Sequence, residues 1–216
     1  VKAAPTALLL EVQRGLESLY ALDPGEPVTE FVIPSAEGAA YPGGGSRTVV
    51  RQGRDGLSVG VILDGAVCEE LTERDPRTHL DAGNMGSFCV LTEEVSHFLL
   101  LSFRARWERP VSQLEMELQA EVDKYLTAVV FLSLQNEGAV SKGLRALLFR
   151  RYQLAAGLTR ERVERYRAAS ALAERYCAWL EETFLRPSRL AELRREARRF
   201  YRLGQREKLE TIAAIS

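Results

Sequence analysis

The chain is poor in the residues on which most metal proteins and nucleophilic catalysts depend. Only two histidines and three cysteines occur in 216 residues. Cys68, Cys89 and Cys177 lie far apart and form no CxxC pair, which excludes the common zinc-finger and zinc-ribbon spacings. A sparse, odd set of thiols fits a reducing, cytoplasmic setting. No apolar run approaches the roughly 20 residues of a membrane span. The longest, Tyr125 to Leu134, contains Thr127 and Ser133, so no membrane partner is expected. Ala7–Leu10 is cut short by Glu11 and Arg14, which argues against a secretory signal. The H-E-x-x-H and G-x-S-x-G motifs are absent. Gly43-Gly44-Gly45-Ser46 lacks the Lys-Ser/Thr ending and following helix of a phosphate loop, and reads as a flexible connector.

What the chain does have is a strongly divided charge. Residues 1–138 carry 11 Lys+Arg against 21 Asp+Glu, whereas residues 139–216 carry 18 against 9. The overall net charge of −1 hides two opposed halves. The basic half is almost all arginine, set in helical patterns. Such a half docks on the acidic one or meets an outside anion.

The apolar pattern predicts an α+β fold. Residues 1–88 form an N-terminal helix and a small antiparallel three-stranded sheet. Residues 89–216 form a bundle of about five helices, and the two parts are expected to pack as one unit. Thr6 to Leu22 reads as a helix, with Leu9, Val12, Leu16 and Leu19 on the face that covers the sheet. Val28–Ile33, Arg47–Gln52 and Leu57–Leu63 read as strands, with Asp55-Gly56 as a hairpin turn. Asp64–Leu71 reads as a short helix. Thr92 is placed to cap a helix with Glu93 and Glu94 in its first turn. Ser112 and Glu115 form an S-x-x-E capping box that starts a helix reaching about Leu134. Further helices are expected over Ser141–Ala156 and from Thr159. The latter carries the seam Val163, Tyr166, Ser170, Ala173, Cys177, Leu180 and Phe184. Pro187-Ser188 opens another helix, and Gln205–Ile215 a short terminal one.

One polar cluster stands out. Glu94 and His97 form an E-x-x-H pair whose side chains point the same way, next to the apolar block Phe98–Leu101. On the following helix Glu121 falls about 20° from Leu114, inside the core stripe. Glu94, His97 and Glu121 are the candidate metal ligands. The arrangement resembles half of a ferritin-like di-metal site. A full site needs a second E-x-x-H, and His79 lies outside any such motif, so the family is not carried over to this chain. The competing reading is a buried histidine–carboxylate pair that fixes helix register. The favoured expectation is no cofactor, and the alternative is one divalent transition metal.

The second candidate is a surface. Arg194, Arg195, Arg198, Arg199 and Arg202 crowd the outer side of a helix whose Leu193, Ala197 and Phe200 face inward. Arginine with an aromatic neighbour, here Tyr201, suits phosphate contact and stacking. The sequence pI of 6.3 lies below the range of a dedicated nucleic-acid domain. The leading expectation is therefore a protein-interaction or regulatory module without catalysis, binding another protein of acidic character. The first alternative is a metal-assisted hydrolase or oxidase at the Glu/His cluster. The second is non-specific nucleic-acid binding. The sequence leaves the oligomeric state open.

Overall fold

The computed structural model describes residues 4–38, 40–41, 44–53, 56–138, 143–150 and 159–215. It is mostly helical, with a small three-stranded sheet. The chain divides into two compact units. The first takes in residues 1–18 and 22–110, the second residues 19–21 and 111–216. No described helix is long and apolar enough to cross a membrane.

In the first unit, helix α1 (Thr6–Tyr20) buries Leu8, Leu9, Val12 and Leu16 on one stripe. Gln13 and Glu17 on that helix hold the returning loop. Val28 N donates to Gln13 Oε1 at 2.7 Å, and Gln13 Nε2 donates to Glu26 O at 3.1 Å. The expected strand over Val28–Ile33 shrinks, because Val28–Phe31 winds as a 3-10 turn and only β1 (Val32–Ile33) is extended. A helical turn, α2 (Ser35–Gly38), follows. Strands β2 (Arg47–Gly53) and β3 (Gly56–Ile62) form the expected antiparallel pair, with Val50 opposite Val59. Asp55 of the expected hairpin turn lies outside the described residues, as do Pro42 and Gly43 of the connector.

The sheet is mixed, not purely antiparallel. Its order is β1-β3-β2, and β1 runs parallel to β3, with Val32 opposite Val61. Strands β1 and β2 therefore flank β3 and run in opposite directions. Gly60 makes this edge possible: a Cβ there would sit 2.5 Å from Ile33 Cδ1.

Asp64 caps α3 (Gly65–Glu73) by accepting from Ala66 N at 2.9 Å. The next loop is held by Asn84, 1% exposed, whose side-chain amide donates to Arg74 O and His79 O, both at 2.8 Å. This loop delivers α4 (Met85–Ala105), which begins seven residues before the expected Thr92. Thr92 is no cap. Its hydroxyl donates to Phe88 O at 2.9 Å, one turn back inside the helix. Glu93 and Glu94 thus sit mid-helix, away from the positive helix end. Helix α4, more than α1, is the element packed on the sheet. Phe98 meets Phe31 with ring centroids 4.9 Å apart.

In the second unit, Ser112 caps α5 (Gln113–Gln135) as expected, accepting from Glu115 N at 3.0 Å. Glu137 (φ 52) and Gly138 (φ 86) end it in left-handed backbone. Of the expected Ser141–Ala156 helix, α6 (Leu144–Arg150) is described; residues 141–142 and 151–158 lie outside. Thr159 caps α7 (Arg160–Leu180), whose seam packs on α5 with Ser170, Ala173, Cys177 and Leu180 buried. The helix continues as a π-helix over Glu181–Leu185. After a turn with Ser188 at φ 56 come α8 (Leu190–Arg202) and α9 (Gln205–Ala213). Tyr176 stacks on Phe200 at 3.9 Å, and Tyr20 on Tyr201 at 4.2 Å.

A buried polar network runs through this core. Lys208 on α9 is 0% exposed. Its Nζ donates to Gln119 Oε1 at 2.9 Å, lies 3.4 Å from Glu115 Oε1, and sits 5.4 Å from the Phe200 ring centroid. The Gln119 amide donates onward to Asp123 at 2.9 Å, and the Tyr20 hydroxyl donates to the same carboxylate. Burial, reinforced by Asp123, pushes the Tyr20 phenol well above its ordinary range, so it stays a donor.

Candidate functional site

Helix α4 turns Glu94 and His97 to one side. Both are buried, at 4% and 5% exposure, and His97 Nδ1 lies 3.7 Å from Glu94 Oε2. Strand β2 adds Thr48, whose hydroxyl donates to Glu94 Oε2 at 2.7 Å. Burial raises the Glu94 carboxyl above its ordinary range and Glu93 adds to that, while His97 and Thr48 work against it. Glu93, half-buried, completes a cluster. One ligand atom from each of Glu93, Glu94 and His97 lies within 4.8 Å of the others. The pair expected from the sequence is therefore together, and the first unit supplies a further carboxylate that the E-x-x-H reading passed over. The signal was present, since Glu93 stands four residues before His97, the other helical neighbour spacing.

Glu121 belongs to the second unit. It is buried on α5, as its place in the core stripe implied, and its Oε1 accepts from Lys124 Nζ at 2.7 Å.

The arginines of α8 fall into three groups. Arg198 Nε donates to Leu19 O at 3.0 Å, and Arg202 donates to Tyr20 O at 2.9 Å and Ala21 O at 3.1 Å. These are carbonyls at the end of α1, where the helix dipole is negative and cations are favourable. Arg199 pairs with Glu196 at 2.8 Å on its own helix. Arg194 and Arg195 are exposed, and the charge of Arg195 helps to hold the Glu192 carboxyl below its ordinary value.

A cleft of about 220 Å³ in the first unit is lined by Phe31, Phe98 and Phe103, with Glu17, Glu26 and Arg106 among its polar residues. It is smaller than the roughly 300–1,000 Å³ usual for organic ligands. Comparison with protein-family models, with curated proteins and with solved structures finds no match to this chain.

Proposed function

We propose that the protein is an interaction or regulatory module that receives an acidic protein segment on the outer face of α8. The observation that carries this reading is the division of labour among the arginines. Arg198 and Arg202 are tied to the end of α1, which fixes the helix as a platform, while Arg194 and Arg195 project from it exposed. Arg194 and Arg195 point about 100° apart around the helix, so each guanidinium fork takes its own carboxylate through two parallel hydrogen bonds. The surrounding net positive charge of residues 139–216 adds long-range attraction.

The test is fluorescence anisotropy with a labelled poly-glutamate peptide, competed by single-stranded RNA. Arg194→Glu with Arg195→Glu is expected to abolish peptide binding while the thermal unfolding curve stays unchanged. Arg198 is a poor choice for this experiment, since its loss also releases Leu19 O. Unaltered binding in the double variant refutes the proposal. Preferential binding of RNA, falling steeply with salt, replaces it with the nucleic-acid reading.

A further inference from the structure

We propose that Glu93, Glu94 and His97 hold a single divalent transition-metal ion in the first unit. The inference is independent of the arginine surface.

Three observations carry it. The first is donor chemistry. One imidazole and two carboxylates form a mixed nitrogen and oxygen set suited to zinc, manganese or ferrous iron, and unsuited to the softer ions that select thiolates.

The second is spacing. Glu94 to His97 is i, i+3 and Glu93 to His97 is i, i+4, so both acids neighbour the imidazole on adjoining turns. Their ligand atoms already lie within 4.8 Å of one another, and His97 Nδ1 is 3.7 Å from Glu94 Oε2. An ion bound at about 2.0–2.2 Å from each donor holds its ligands some 3–4 Å apart. Small side-chain rotations close that difference without moving the helix.

The third is the surround. Glu94 is oriented by the Thr48 hydroxyl at 2.7 Å from a different element, the outer support that metal-binding carboxylates use. Glu94 and His97 are buried and Glu93 is half-buried, which keeps the donors largely out of bulk water. With three protein donors, the remaining coordination positions fall to water.

A purely structural Glu94–His97 pair predicts no uptake of metal and no gain in stability when metal is added. That separates the two readings. Isothermal titration of tag-free, metal-stripped full-length protein with Zn²⁺ and with Mn²⁺ is the measurement, paired with thermal unfolding with and without the ion. Expected are one equivalent per chain and a higher Tm with metal. Glu93→Gln, which keeps both members of the buried pair in place, is expected to weaken binding at least tenfold and to reduce the gain in Tm on adding metal. Thr48→Val is expected to weaken it by about tenfold through loss of the outer contact. His97→Gln, a conservative change at the buried position, is expected to abolish it. Failure of the wild type to take up an equivalent of either ion overturns the proposal. Equal affinity in the wild type, Glu93→Gln and His97→Gln also overturns it, and assigns any uptake to thiols or surface carboxylates.

Discussion

Removing the charge from Lys208 tests the second unit's core directly. Lys208→Met keeps an apolar stem under the Phe200 ring and deletes the ammonium. The loss includes a hydrogen bond at 2.9 Å to Gln119 and an ion pair at 3.4 Å with Glu115, which is itself 2% exposed. A hydrogen bond to a charged group contributes about 1.5–3 kcal/mol. Taking one partner from a buried ion pair costs about 3–5 kcal/mol, because the remaining charge was desolvated on the strength of its counterion. The expected destabilisation is therefore about 3–5 kcal/mol. In a chain of this length that lowers Tm by roughly 6–20 °C. Thermal and urea unfolding followed by far-ultraviolet circular dichroism measure it. Adding Glu115→Gln to Lys208→Met is expected to recover at least half the loss, since a neutral amide does not require the cation, and the double-mutant cycle gives the coupling. A single variant within about 0.5 kcal/mol of wild type refutes the reasoning, because that is what a surface substitution does. A double variant less stable than Lys208→Met refutes it equally.

Two further outcomes follow from local geometry. Glu181 is buried, which raises its carboxyl, but hydrogen bonds from Arg186 at 2.9 Å and Tyr125 at 3.1 Å, with Arg145 at 3.2 Å, outweigh that and hold it below the ordinary value of 4.5. A carboxyl lowered on folding contributes stability that is present above its unfolded value and lost as pH falls through its folded one. Glu181→Gln is therefore expected to be less stable than wild type at neutral pH and to converge with it in acid, read from urea midpoints across the pH range. Ser112→Ala removes the acceptor for Glu115 N and the contact with Gln205, and is expected to cost about 1 kcal/mol by the same assay.

The parts of the fold that were legible in the sequence are those settled by short-range chemistry. Ser112 caps and the helix from Thr159 begins where they were expected to, and the three-four seam is buried from Ser170 to Phe184, because cap residues and helical periodicity act within a turn or two. The direction of β1 was not legible. Its pairing with β3 depends on where a long intervening segment carries the chain, and two residues leave too little pattern to read. Thr92 misled for a physical reason. A threonine hydroxyl serves equally as a cap acceptor and as a donor to the carbonyl four residues back, and Asn84, held by its own loop, decided between them. That displacement removed Glu93 and Glu94 from the helix start and set them mid-helix, while the i, i+4 spacing of Glu93 and His97 stayed the same. Nothing in Gln205–Ile215 marks Lys208 as buried. Its environment comes from residues nearly a hundred positions earlier, which a local pattern does not contain.

Leu19, Tyr20 and Ala21 count with the later unit, although most of α1 counts with the earlier one. Dividing the gene at Pro110 would consequently yield a C-terminal product missing three of its own parts: the ring stacked on Tyr201, the phenol hydrogen-bonded to Asp123, and the carbonyl acceptors of Arg198 and Arg202. The second compact unit is discontinuous in sequence. A truncation series drawn from linear boundaries would mistake that missing tripeptide for an intrinsic failure to fold, and supplying it in trans, as a peptide spanning α1, is the remedy the covalent layout suggests.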